Sequence, residues 1–87
     1  MNNLPSFADS PIHPGIYLKE SLEEIGINQT DLAKRIGISR KVINEIIAGK
    51  APITANTAIL LESVTKVPAH FWNNLQKNYE LNLAILQ

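Results

Sequence analysis

Cysteine is absent from this chain of 87 residues, which excludes a disulfide framework and a thiolate zinc site. Its absence is compatible with a reducing cytosol. Long apolar runs are missing too. None approaches the ~20 residues that a spanning helix needs, and the N-terminus lacks the charged and apolar regions of a signal peptide. A soluble, cytoplasmic protein without a membrane partner is therefore expected. Net charge is the third absence: eight Lys and Arg stand against eight Asp and Glu. Taken as a total, that balance argues against nucleic acid, because duplex DNA attracts surplus positive charge.

Catalytic groupings are scarce as well. His13 and His70 are the only histidines; one precedes Pro14 in a turn and the other opens the last helix. Neither has the partner spacing of a catalytic dyad or a metal site. Glu23 and Glu24 are adjacent and splay by about 100° on a helix instead of converging, so with Glu20 they make an acidic surface. No Gly-rich phosphate loop or nucleophile elbow occurs. The expectation is a protein that is not an enzyme and holds no cofactor and no metal.

What is present is a globular chain, 45% hydrophobic and 18% charged, of single-domain length. Residues 1–12 show no apolar period and read as a flexible arm, although Leu4, Phe7 and Ile12 suit contact with a partner. From residue 13 onward the apolar spacing is 3 and 4, the helical period, and not 2. Pro14-Gly15 opens a first helix in which Leu18, Leu22 and Ile25 form one buried stripe, and Gly26 stops it. Asn28, with Asp31 three residues on, caps a second helix with Leu32, Ala33 and Ile36 inward and Gly37 at its end. Ser39 caps a third, packed through Ile43, Ile46 and Ile47 and closed by Gly49. Thr54 caps a fourth through Val64, and Pro68 starts a fifth that runs on toward the end of the chain. The fold class read from this is all-α, with five helices.

The stretch from Gln29 to Lys50 carries the function. Two short helices joined by the tight turn Gly37-Ile38-Ser39 are the parts of a helix-turn-helix. Small Ala33 lets the two helices approach, while Ile38, Ile43 and Ile46 pin the second against the first. The outward face of the second helix then holds Ser39, Arg40, Lys41, Val42, Asn44 and Glu45. Arg40 and Lys41 suit guanine O6 and N7, Asn44 suits adenine, and Val42 suits a thymine methyl. Gln29 and Ser39, at helix N-termini, suit phosphate. Lys34, Arg35 and Lys50 suit the flanking backbone. Spacing alone does not divide these residues between bases and phosphates.

That stretch resembles the phage-repressor-like (XRE) helix-turn-helix domain. Several further blocks resemble one subgroup, the HigA or VapI-like antitoxins: His13-Pro14-Gly15, Val42 to Ile47 followed by Gly49-Lys50, Ile53-Thr54, and Phe71-Trp72-Asn73-Asn74-Leu75-Gln76 with Tyr79. The resemblance implies a five-helix bundle of the phage-repressor-like type. It further implies a homodimeric DNA-binding antitoxin that represses its own operon and binds a HigB-type toxin, an mRNA-cutting ribonuclease. Residues 13–87 then form one DNA-binding domain that ends in a dimerisation helix. Two positions depart from the family pattern. Val67 stands where a capping Ser is frequent, and Leu60 stands where a basic residue is frequent. Leu60 makes Ala58 to Leu61 four consecutive apolar residues, about 300° of helix surface, which suits a central helix or an interface.

In the last helix Trp72, Leu75, Tyr79, Leu83 and Leu86 share a face. Trp72 and Leu75 are assigned to the chain's own core. Tyr79, Leu83 and Leu86, together with Leu60, are assigned to a two-fold interface. A dimer places two recognition helices about 34 Å apart, the geometry that reads a palindromic operator on double-stranded DNA. Two other readings remain open at this point: a stand-alone repressor without a toxin, and a protein-interaction module with incidental DNA affinity.

The balanced charge also resolves into segments. Residues 1–27 carry Lys19 against Asp9, Glu20, Glu23 and Glu24, a balance of −3. Residues 28–50 carry Lys34, Arg35, Arg40, Lys41 and Lys50 against Asp31 and Glu45, a balance of +3. Residues 51–87 balance to 0, with Lys66 and Lys77 against Glu62 and Glu80. The positive segment coincides with the helix-turn-helix, and the acidic first helix suits a basic partner.

Overall fold

A computed structural model describes residues 11–87; most of the arm read at residues 1–12 lies outside the described residues. Five helices follow in order: α1 (Gly15–Ile25), α2 (Gln29–Ile36), α3 (Arg40–Ile47), α4 (Ala55–Thr65) and α5 (Ala69–Leu86). No strand occurs among the described residues. The all-α bundle expected from the apolar period is the fold observed.

The capping residues act as their chemistry requires. The Asn28 carboxamide accepts from the Asp31 N–H at 2.8 Å, Ser39 Oγ from Val42 N–H at 3.2 Å, and Thr54 Oγ1 from Thr57 N–H at 3.2 Å. Each satisfies one of the donors that the first helical turn leaves unpaired.

One residue of the expected first-helix stripe departs from it. Leu18 and Leu22 are buried, but Ile25 is 42% exposed. The helix ends there in a left-handed Gly26, and both Gly26 N–H and Ile27 N–H donate to the Leu22 carbonyl, at 2.8 and 3.1 Å. That closure turns the chain inward one residue later, so Ile27 packs on the core in place of Ile25.

The core joins all five helices. Leu18, Leu22, Leu32, Ile36, Ile43, Ile46, Ile53, Ala58, Leu61 and Trp72 are buried, and each large aliphatic among them contributes about 1.5–3 kcal/mol by leaving water. Helix α4 packs against α1, α2 and α5, so its apolar run has work on several sides. Ala58 and Leu61 are buried and Leu60 lies against the core, whereas Ile59 faces out at 62% exposure.

The capping Ser that Val67 replaces is compensated from another helix. Pro68 at the head of α5 offers no side-chain cap, and the Glu62 carboxylate of α4 accepts from the Ala69 N–H at 2.9 Å. A negative group there also suits the positive end of α5. The other end of α5 carries Leu81, Leu83, Ile85 and Leu86, all exposed.

Candidate nucleic-acid interface

The turn between α2 and α3 positions the site. Gly37 takes a left-handed conformation, φ 72°, and ends α2; two residues later Ser39 caps α3. Ile43 and Ile46 are fully buried, which fixes the rotation of α3 about its axis. The opposite face must then look outward. Arg40, Lys41, Val42 and Asn44 are exposed there, and Glu45 is half-buried.

Five of the residues singled out from the sequence come together. Arg40, Lys41, Asn44, Glu45 and Lys50 line one shallow concavity of about 430 Å3, with Ala48 at its side. Arg40, Asn44 and Ala48 form one row at a spacing of four, and Lys41 and Glu45 form the next. Lys50 joins them through the end of the helix. Gly49 is left-handed, φ 80°, and the N–H groups of Lys50 and Ala51 both donate to the Glu45 carbonyl, at 2.8 and 3.2 Å. This closure folds Lys50 back beside the helix it follows. Ala48 was missed by the sequence reading, although extending the Arg40–Asn44 spacing by one more turn finds it.

The remaining residues lie around this concavity and not in its lining. Val42 is 38% exposed beside it. Lys34 and Arg35 are exposed in the last turn of α2, Gln29 is half-buried in its first turn, and Ser39 is exposed. The Ser39 hydroxyl accepts from Val42 and keeps its own proton for a further acceptor.

The electrostatics of α3 run against its own stability. Arg40 and Lys41 occupy the first turn, where no acidic residue offsets them. Cations at the positive end of a helix dipole are unfavourable by roughly 0.3–1 kcal/mol each at exposed sites. Lys34 and Arg35, in contrast, sit at the negative end of α2, where cations are favoured. Local rules broken at a site mark function more often than fold, and a polyanion laid across the start of α3 offsets this cost.

The loop that follows α3 is tied to α5, and His13, just ahead of α1, lies beside it, an arrangement that sequence reasoning did not foresee. The Gln76 carboxamide, buried on α5, accepts from the Ile53 N–H at 2.9 Å and donates to the Glu80 carboxylate at 3.0 Å. His13 Nδ1 accepts from the Gly15 N–H at 2.9 Å, and its ring meets Tyr79 edge-on at 4.8 Å. Partial burial pushes the His13 imidazole below its ordinary pKa, opposed by a hydrogen bond to the Ala51 backbone. Among the described residues no group of acidic, histidine or cysteine side chains suits a metal ion, and no helix is long and apolar enough to cross a membrane.

A five-helix bundle with a basic, outward recognition face after a tight Gly turn defines a helix-turn-helix protein. Residues 18–72 match the helix-turn-helix family model, and the chain belongs to that family. Within it the chain is HigA-like. It is 38% identical over 79 residues to virulence-associated protein A′ of Dichelobacter nodosus, covering 90% of this chain and 69% of the relative. Among solved structures it is similar to an addiction-module antidote protein of the HigA family from Coxiella burnetii, with a TM-score of 0.82, 36% identity and coverage of 86% and 83% of the two chains. It is also similar to the Pseudomonas aeruginosa antitoxin HigA, solved with the higBA promoter, with a TM-score of 0.80, 39% identity and coverage of 85% and 82%.

Proposed function

We propose that the chain is a sequence-specific DNA-binding antitoxin that represses its own operon and neutralises a HigB-type ribonuclease. The observation that carries this reading is the convergence of Arg40, Lys41, Asn44, Glu45 and Lys50 on one concave face at α3. That set combines donors for guanine, a carboxamide for adenine, an acceptor for cytosine and a cation for the backbone. Gln29 and Ser39, with Lys34 and Arg35, hold the flanking phosphates. The similarity to an antitoxin solved with promoter DNA supports the same use of this face.

The protein acts as a homodimer on a palindromic operator. A single α3 of eight residues offers few base contacts, and a two-fold pair multiplies them. Leu83 and Leu86, exposed at the end of α5, form the interface with Tyr79 and Leu60, which are half-buried in the single chain. The acidic exposed face of α1, with Glu20, Glu23 and Glu24, meets the basic toxin.

Two linked experiments test the reading. A reporter driven by the DNA upstream of the coding sequence is expected to be silenced by the chain and released by Arg40→Ala. Co-expression with the neighbouring reading frame is expected to yield a co-purifying toxin. Silencing without a co-purifying partner indicates a stand-alone repressor, and co-purification without silencing indicates an interaction module.

A further inference from the structure

Residue 15 is held from both sides, and what it touches is the last turn of α3. Pro14 beside it is fully buried with φ −61°, and the Gly15 N–H donates to His13 Nδ1 at 2.9 Å. In the direction a side chain would take lie the carbonyl of Ile46 and the Cα of Ile47, the latter 3.0 Å from where a Cβ would stand. Both belong to the backbone, so no change of rotamer makes room. The first turn of α1 therefore rests directly on the main chain of α3.

That end of α3 carries much of the proposed DNA face. Asn44, Glu45, Ala48 and Lys50 line the concavity there. Their main chain is interlocked with the carbonyl that Gly15 meets. The Asn44 carbonyl accepts from the Ala48 N–H at 2.9 Å, the Ile46 carbonyl from Gly49 at 3.0 Å, and the Glu45 carbonyl from Lys50 at 2.8 Å. Arg40 and Lys41 lie at the other end, beside the Ser39 cap. The fully buried Ile43 sits between the two ends. A push on Ile46 and Ile47 thus tilts α3 about Ile43 and moves the Asn44–Lys50 end.

We propose that Gly15 is a positioning residue for DNA recognition: by letting α1 rest on the α3 backbone, it sets how Asn44, Glu45 and Lys50 are presented to the duplex. The proposal rests on the DNA-binding reading above. A binding constellation works only when held within about 0.5 Å of its productive geometry. A methyl group at residue 15 overlaps the Ile46 oxygen outright and demands a shift of at least that size. A well-made bidentate base contact discriminates its base by about 5- to 150-fold. Non-specific affinity comes from phosphate charge and tolerates such a shift, and Lys34 and Arg35 on α2 stay where they are.

The test measures affinity for the upstream duplex and for a scrambled duplex of equal composition. It uses the wild type, Gly15→Ala and Val64→Ala, each at a temperature where it is folded. Val64 packs on the core from α4 and controls for lost stability alone. Gly15→Ala is expected to lose about 5- to 150-fold of the preference for the upstream duplex, and Val64→Ala to keep it. The amide resonances of Gly15→Ala are expected to differ from wild type more over Asn44–Lys50 than at Arg40 and Lys41. A preference in Gly15→Ala equal to that of Val64→Ala overturns the proposal.

If Gly15→Ala does not fold, the wild type decides. A nuclear Overhauser effect between the α-protons of Gly15 and Ile47 is expected in the free chain and in its complex with the upstream duplex. Its loss in the complex overturns the positioning role. A wild type that shows no preference between the duplexes overturns the DNA-binding reading, and the amide pattern of Gly15→Ala then decides the positioning of α3 alone.

Discussion

Gly15 and Ile46 touch through backbone: a Cβ on residue 15 would run into the Ile46 carbonyl oxygen. Helix α1 thus crosses α3 with no side chain between them, directly behind the helix that carries Arg40 and Asn44. The Ile46 carbonyl also accepts from the Gly49 N–H at 3.0 Å, so it has little freedom to retreat. In an ordinary helix, replacing Gly by Ala stabilises by about 0.5–1 kcal/mol. Here the sign reverses. Gly15→Ala is expected to cost about 1–3 kcal/mol, the range of overpacked cores, measured by urea unfolding.

Gln76 makes the next prediction. It is 7% exposed and its carboxamide oxygen is the acceptor for the Ile53 N–H. Removing an acceptor from a buried donor costs the desolvation of that donor, about 1–3 kcal/mol. Gln76→Ala is expected to lose that much stability and to speed hydrogen exchange at the Ile53 amide more than at the α2 amides.

Lys66 ends α4 with φ 65°, the one non-glycine residue with positive φ among the described residues. A side chain in that region is strained by roughly 1–2 kcal/mol. Lys66→Gly removes the strain and is expected to stabilise by about 1 kcal/mol, a rise of about 4–8 °C in Tm for a domain of this size. Thermal unfolding checks it.

Arg40 and Lys50 are expected to fail differently. Arg40→Ala is expected to lose about 1–3 kcal/mol on the cognate site and little on random DNA, as removal of a base contact does. Lys50→Ala is expected to weaken both alike and to flatten the salt dependence by about one unit. Titrations at several salt concentrations separate the two.

The fold was legible because its cues are local. Caps at Asn28, Ser39 and Thr54, left-handed stops at Gly26, Gly37 and Gly49, and spacings of 3 and 4 depend on near neighbours in the chain. The convergence of Arg40, Asn44 and Glu45 on one face was legible for the same reason. What escaped were the long-range polar ties. Gln76 and Ile53 are 23 residues apart, and His13 and Tyr79, whose rings touch, lie near opposite ends of the sequence; no period or spacing links them. Gln76 stood out only as part of a family-like block, and Pro14-Gly15 was read as a helix start when Gly15 is also a contact between backbones. Ile25 was misplaced because the inward turn at Ile27 depends on how Gly26 closes the helix.

The central claim is that a chain of zero net charge binds DNA through a basic face concentrated at α3. Affinity for its own upstream duplex, compared with a scrambled duplex of equal composition at about 50 and 200 mM salt, tests it most directly. A preference of about 1,000-fold or more for the upstream duplex is expected, with affinity for both falling steeply as salt rises. Equal affinity for the two duplexes, or affinity that ignores salt, would contradict the account.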